Sequence, residues 1–161
     1  MGFRRAGDWD RAANLIGNVG AEMLIARNKF LKQWGLKAER IAVTHMSKQD
    51  LNWVALAAST LAEKIRKGFS ENILIRTSTY FQSITSWHIG NTVYAGVRKE
   101  VKDDDGNIVA DIAATHEYGS RSGKIPARPL WQPTFKETQD WAANNSPEKM
   151  FLNTIRQRYG I

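Results

Sequence analysis

Three histidines, His45, His88 and His116, are the side chains of this sequence best suited to acid–base or metal chemistry near neutral pH. Two metal ligands on one helical face require a His-x-x-x-His or Glu-x-x-His interval, and none of the three has one. His116-Glu117 has the composition of an acid–base pair, yet adjacent residues diverge on a helix or strand, and no Gly-x-Ser-x-Gly nucleophile turn accompanies them. A helix-terminal histidine that packs or caps a carbonyl is the plainer reading. Asp103-Asp104-Asp105-Gly106-Asn107 opens like a calcium loop but lacks the later ligands, so it reads as a solvated turn. Gly17 and Gly20 lie inside a helical pattern instead of between strand and helix, which excludes a dinucleotide fingerprint. The absence of cysteine removes thiol catalysis, thiolate zinc sites and redox switching together. The expectation is a non-enzymatic chain with no cofactor and no metal, acting through its surfaces.

The elements that display those surfaces belong to one domain. The chain has 161 residues, 42% hydrophobic and 24% charged, the composition of an ordinary globular fold. No apolar run approaches the roughly 18 residues needed to cross a bilayer, and the opening residues lack a signal-peptide apolar region, so no membrane partner is expected. The formal charge of +7 is unevenly placed: residues 1–40 carry eight Lys/Arg against four Asp/Glu, residues 41–100 seven against four, and residues 101–161 eight against eight. A basic excess in the first hundred residues fits contact with nucleic acid or an acidic partner, and equally a solvated surface.

Trp9, Ala12, Ile16, Val19, Met23, Ala26, Phe30 and Trp34 recur at alternating steps of three and four, the mark of a long amphipathic helix. Asp8 is its expected N-cap and Gly35 its expected stop. Such a rod, about 39 Å long, is expected to project in part. Ile25 falls on the otherwise polar side and hints at a second packing surface. Gly17 and Gly20 each weaken a helix by about 1 kcal/mol, which makes sense where another backbone comes close. Residues 36–58 look irregular, with a β-branched run Ile41-Ala42-Val43-Thr44. A second helix is expected from Ser59 or Thr60, with a Thr60–Glu63 capping box, to Gly68.

Residues 80–89 and 91–101 alternate as an antiparallel hairpin across Gly90-Asn91. A helix is expected over 108–118, capped by Asp or Asn and stopped by Gly119. After a loop, Pro126 and Pro129 forbid helix between them, and Pro129 is placed to start a helix running to about Ala143. Ser146-Pro147 repeats that start for a final helix, 148–159. The fold class is therefore α+β: a long helix over 1–35, an α+β core over 36–143 with a small antiparallel sheet packed by helices, and a C-terminal helix over 146–159.

His116-Glu117-Tyr118-Gly119-Ser120 followed by Ile125-Pro126-Ala127-Arg128-Pro129-Leu130 resembles the neck and tail-completion proteins of tailed bacteriophages, including virion-morphogenesis proteins of Mu-like phages. Gln49-Asp50-Leu51-x-Trp53, Thr60-x-x-x-Lys64-x-Arg66-x-Gly68 and Leu74-x-Arg76-Thr77-Ser78 with Ser83-Ile84 follow the same pattern in order. The resemblance covers about residues 45–135. It departs where the family usually has Pro-Leu-Ser, here Ala55-Leu56-Ala57, and Thr-Gly, here Thr77-Ser78.

That resemblance implies a virion structural protein at the head-to-tail junction, made in the host bacterial cytoplasm. It implies a homo-oligomeric ring that meets connector or portal-adaptor proteins and tail-terminator or tail-tube proteins, with non-specific contact to phage DNA in the channel. The residues it marks for assembly are Glu117, Tyr118, Gly119, Ile125, Pro126, Arg128 and Pro129. Gly119 permits a chain reversal, the prolines stiffen the next segment, and Arg128 offers a planar donor fork to a carboxylate or to carbonyls. Glu117 is its candidate partner, within the subunit or across the ring. Trp9, Ile25 and Trp34 are the contact candidates on the long helix. The alternative function is a basic nucleic-acid-binding domain.

Overall fold

The structure, a computed structural model, describes Gly7 and residues 9–159, less the side chains of Arg11, Leu15 and Tyr159. Its helices are α1 (Trp9–Lys48), α2 (Ala58–Arg66), α3 (Thr79–Ser83), α4 (Val109–Tyr118), α5 (Trp131–Asn144) and α6 (Pro147–Tyr159). Strands β1 (Thr85–Ile89) and β2 (Thr92–Gly96) lie between α3 and α4. The fold class is α+β, with a long N-terminal helix, a two-stranded antiparallel sheet and C-terminal helices. The expected cap Asp8 lies outside the described residues.

Helix α1 runs 40 residues, about 60 Å, straight through the expected stop at Gly35. The glycine is there for close approach: a Cβ at Gly35 would sit 2.8 Å from Val93 Cγ2 and 3.0 Å from Ser86 Cβ, so the hairpin packs directly on the helix backbone. Beyond it, Ala38, Ile41, Ala42, His45 and Met46 are all buried. Their spacing is a helical stripe, and burial of that stripe overrides the strand preference of the β-branched run. Ala42 and Met46 join Ile75, Tyr80, Ile84, Val109, Ala113 and Leu130 in the core. The C-terminal third of α1 is thus the core's central strut, while its N-terminal part is flanked by α6 and the end of α5.

Three further boundaries move. The Thr60–Glu63 capping box is not formed; α2 begins at Ala58 without a side-chain cap, and Glu63 pairs with Lys67 at 2.8 Å and Arg76 at 3.3 Å. Gly68 does end the helix, with Gly68 N–H donating to Ile65 O and Phe69 N–H to Lys64 O, the reciprocal pair of a glycine C-cap. The hairpin is shorter than 80–101. Tyr80 and Ile84, four apart, both enter the core, so residues 79–83 take a helical turn and the strand starts at Thr85. Register runs from Thr85 opposite Gly96 to Ile89 opposite Thr92, leaving Gly90-Asn91 as the two-residue turn. Helix α5 starts at Trp131, two residues after Pro129, with Pro133 in its first turn.

Helix α4 ends at Gly119 as expected, but its start has no side-chain cap. The Asp103 carboxylate instead closes the preceding turn, accepting from Asp105 and Asn107 N–H groups.

Packing at Gly35 yields a direct test. Gly35→Val is expected to lower the unfolding free energy by about 2 kcal/mol or more, because overpacking against the β-branched Val93 outweighs the small gain in helix propensity. Urea denaturation checks it, and an unchanged midpoint contradicts the close approach.

Candidate functional site

The hook that follows α4 is built on Glu117. Helix α5 has Leu130 at its N-cap and no side-chain cap of its own, so its first N–H groups need an acceptor. Glu117 supplies it: Oε2 accepts from Leu130 N at 2.7 Å and Trp131 N at 2.9 Å, and Oε1 from Gln132 N at 3.0 Å. A carboxylate there also meets the positive end of the helix dipole. Glu117 therefore locks the end of α4 to the start of α5, and the His116-Glu117 dipeptide is a brace instead of an acid–base pair.

Between those helices the chain reverses. Gly119 has φ of +80°, and a Cβ on it would lie 3.2 Å from Ala127 N and from Ile125 O. Both the dihedral and the space require glycine. Ser120 N–H donates to Ile125 O at 2.9 Å, Ile125 N–H to Ser120 Oγ at 2.9 Å, and Arg128 N–H to His116 O at 2.6 Å. Pro126 and Pro129 are half-buried and carry no N–H to satisfy.

Arg128 does not pair with Glu117. It is buried, 5% exposed, and donates from Nε to Val54 O at 2.8 Å and from Nη2 to Ala55 O at 3.1 Å. In the other direction, Trp53 Nε1 donates to Pro129 O at 2.8 Å. The segment after α1 and the proline turn are thus stitched together by side chains from both. Burial pushes the Arg128 pKa down from its ordinary value, yet a guanidinium remains charged. The His116 imidazole is held below its ordinary 6.5, first by burial and then by the Arg128 charge, and its buried Nδ1 has no partner.

What stays on the surface is apolar. Tyr118 is 83% exposed at the hook and Ile125 is exposed beside it. On α1, Trp9 and Ile25 are exposed, whereas Trp34 is half-buried against Phe135, ring centroids 5.8 Å apart. Sequence reasoning left Trp53 and Lys64 out of the site. Lys64 is buried, donating from Nζ to Asn72 O at 2.6 Å and Ile75 O at 2.8 Å, so it fixes the turn after α2. Burial, and next the Arg76 charge, lower its pKa.

A cavity of about 300 Å³ between α2, α3 and α4 is lined in part by Lys64, Arg76, Tyr80, Asp103 and His116. Among the described residues, none of its hydroxyls is hydrogen-bonded to His116, and no group of three His, Asp or Glu is placed to hold a metal. Among the same residues no helix is long and apolar enough to cross a membrane. No family model, curated protein or solved structure matches the chain.

Two measurements test the hook. Glu117→Ala is expected to cost about 2–3 kcal/mol, since three helix N–H groups lose their acceptor, while Tyr118→Ala stays within about 0.5 kcal/mol; chemical denaturation of both variants decides it. His116 has a folded pKa below its unfolded 6.5, so the unfolded chain binds more protons between the two values. Its contribution is full above pH 6.5 and is lost as pH falls through the folded pKa. Stability of His116→Gln, followed over that window, is expected to fall less steeply with acid than that of the natural chain; an identical slope would show that His116 is not the titrating group.

Proposed function

We propose that this chain is a non-enzymatic structural subunit of the head-to-tail junction of a tailed phage, assembling as a ring around the DNA channel. Its neighbours would be connector or portal-adaptor proteins on one side and tail-terminator or tail-tube proteins on the other. The observation that carries the reading is the use made of the residues behind the family resemblance. Glu117, Gly119, Arg128 and Pro129 build one hook that Trp53 joins from a distant segment, and the side chains of Trp53, Glu117 and Arg128 bind backbone there. Residues employed this way fix a shape. Tyr118 and Ile125 are then carried outward on a stiff support, the arrangement that limits entropy loss on association.

The basic excess is partly engaged within the chain. Lys64 and Arg128 hold carbonyls, Lys67 pairs with Glu63, and Arg158 pairs with Glu22. Contact with DNA is accordingly assigned as non-specific and secondary to protein contacts.

Tyr118→Asp with Ile125→Asp is the informative variant, because both side chains are exposed and the hook's backbone bonds stay intact. It is expected to keep the thermal midpoint of the natural chain yet to yield DNA-filled heads and separate tails by negative-stain imaging. Normal infectious particles carrying the double substitution would remove the reading.

A further inference from the structure

The N-terminal half of α1 has two faces, and the described residues cover one. Ala26 and Glu22 are buried, with Arg158 of α6 on Glu22, while Phe30 stacks on Trp141 of α5. Trp9, Ala13, Ile16, Gly17, Gly20, Met23 and Leu24 are all exposed. At 3.6 residues per turn these seven form one continuous stripe. Ile25 stands on the opposite, polar side and takes no part. The stripe continues into a groove of about 570 Å³ between α1 and α6, lined by Gly20, Met23, Leu24, Pro147, Phe151 and Leu152.

Two glycines in mid-helix weaken it, and among the described residues nothing packs against them. A Cβ at Gly35 would strike the hairpin, whereas one at Gly17 or Gly20 would meet no atom within 4 Å. Trp9 is 57% exposed, Ile16 75%, Met23 54%, Leu24 50% and Leu152 49%. Together they offer several hundred Å² of contiguous apolar surface, roughly the 300–600 Å² at which patches mark contacts. Doubled by a two-fold, the patch approaches the roughly 1,200 Å² of a specific interface.

We infer that this stripe binds a second copy of the chain, α1 against α1 in antiparallel fashion, about a two-fold axis beside Gly17 and Gly20. The helix's own sequence sets that register. Placing Gly17 opposite Gly20 of the second copy also places Ala13 opposite Leu24 and Asp10 opposite Arg27, so small residues meet large ones and opposite charges meet. Trp9 of the second copy then comes down toward the groove beside Pro147 and Phe151. Arg27 is half-buried at the edge of the stripe, and its Nη2 donates to Asn91 Oδ1 at 2.7 Å, which holds the guanidinium in place. A self-complementary face pairs isologously and closes at two. The pairing is thus separate from any ring contact at the hook and stands or falls without it.

Sedimentation equilibrium of the full chain over a concentration series is expected to show a two-copy species. Gly17→Gln with Gly20→Gln fills the crossing with side chains that favour helix, and is expected to weaken the pair by about 10-fold or more while the thermal midpoint of the monomer holds or rises. Asp10→Lys is expected to weaken it, and adding Arg27→Glu to restore it. The chain has no cysteine, so Gly17→Cys alone should cross-link to itself through a short bismaleimide and Ile25→Cys should not. A monomer at every concentration, a dimer indifferent to the glycine variant, or equal cross-linking at 17 and 25 overturns the inference. A closed ring that survives the glycine variant while the two-copy contact is lost supports the pairing and leaves the ring reading intact.

Discussion

Three backbone N–H groups at the start of α5 converge on one carboxylate, and the geometry of the hook depends on that convergence. Without Glu117, α5 would open with orphan donors beside the core residue Leu130. With it, the last turn of α4 and the first of α5 form a fixed corner, and the twelve intervening residues have little freedom. Gly119 can therefore be pressed against Ala127, and Arg128 can reach the carbonyls of Val54 and Ala55. Burial, and after it the charge of Arg128, in turn keeps His116 neutral further into acid. One acceptor thus fixes a corner, and the corner fixes a cation.

The second constraint is the length of α1. A single helix serves two environments: a buried third inside the core, and an outer part whose one covered face meets α5 and α6. The transition falls at Gly35, where the hairpin touches helix backbone, and the tip of that hairpin is tied back by Arg27 to Asn91. Because nothing interrupts the helix there, orientation of the outer part is set by the core through a continuous hydrogen-bonded rod.

Local chemistry made much of this legible in the sequence. Spacing at threes and fours predicts α1, Gly90-Asn91 predicts the hairpin turn, and Gly119 and Ser146-Pro147 mark helix ends where the structure has them. Signals resting on tertiary packing misled. Gly35 looks like a stop because an unpartnered glycine in a helix is costly, and only Val93, 58 positions later, supplies the reason for it. The run Ile41-Ala42-Val43-Thr44 looks extended because β-branched residues prefer strands, yet core burial of the stripe from Ala38 to Met46 decides its state. At the hook, the motif residues could be named but their partners could not. A free carboxylate and a free guanidinium suggest each other, whereas here each binds backbone. The same holds for Trp53 and Lys64, since neither an indole nor a lysine announces a buried carbonyl partner.

Charged and polar side chains sit at nearly every joint between elements. Glu22 and Arg158 join α1 to α6. His45, buried at the end of α1, has Nδ1 2.7 Å from Asp50 and Nε2 2.9 Å from Glu137 on α5, and its hydrogen bond holds the Asp50 carboxyl below the ordinary carboxylate range. Lys64 fixes the turn after α2, and Glu117 and Arg128 fix the hook. Buried charges of this kind add little net stability compared with apolar packing of the same volume, but removing one partner is costly. Their effect is to discriminate against other arrangements. An apolar joint tolerates sliding, while a carboxylate aimed at three N–H groups does not. This chain has such precision at several corners of the frame, and the relative placement of its surfaces is fixed by it.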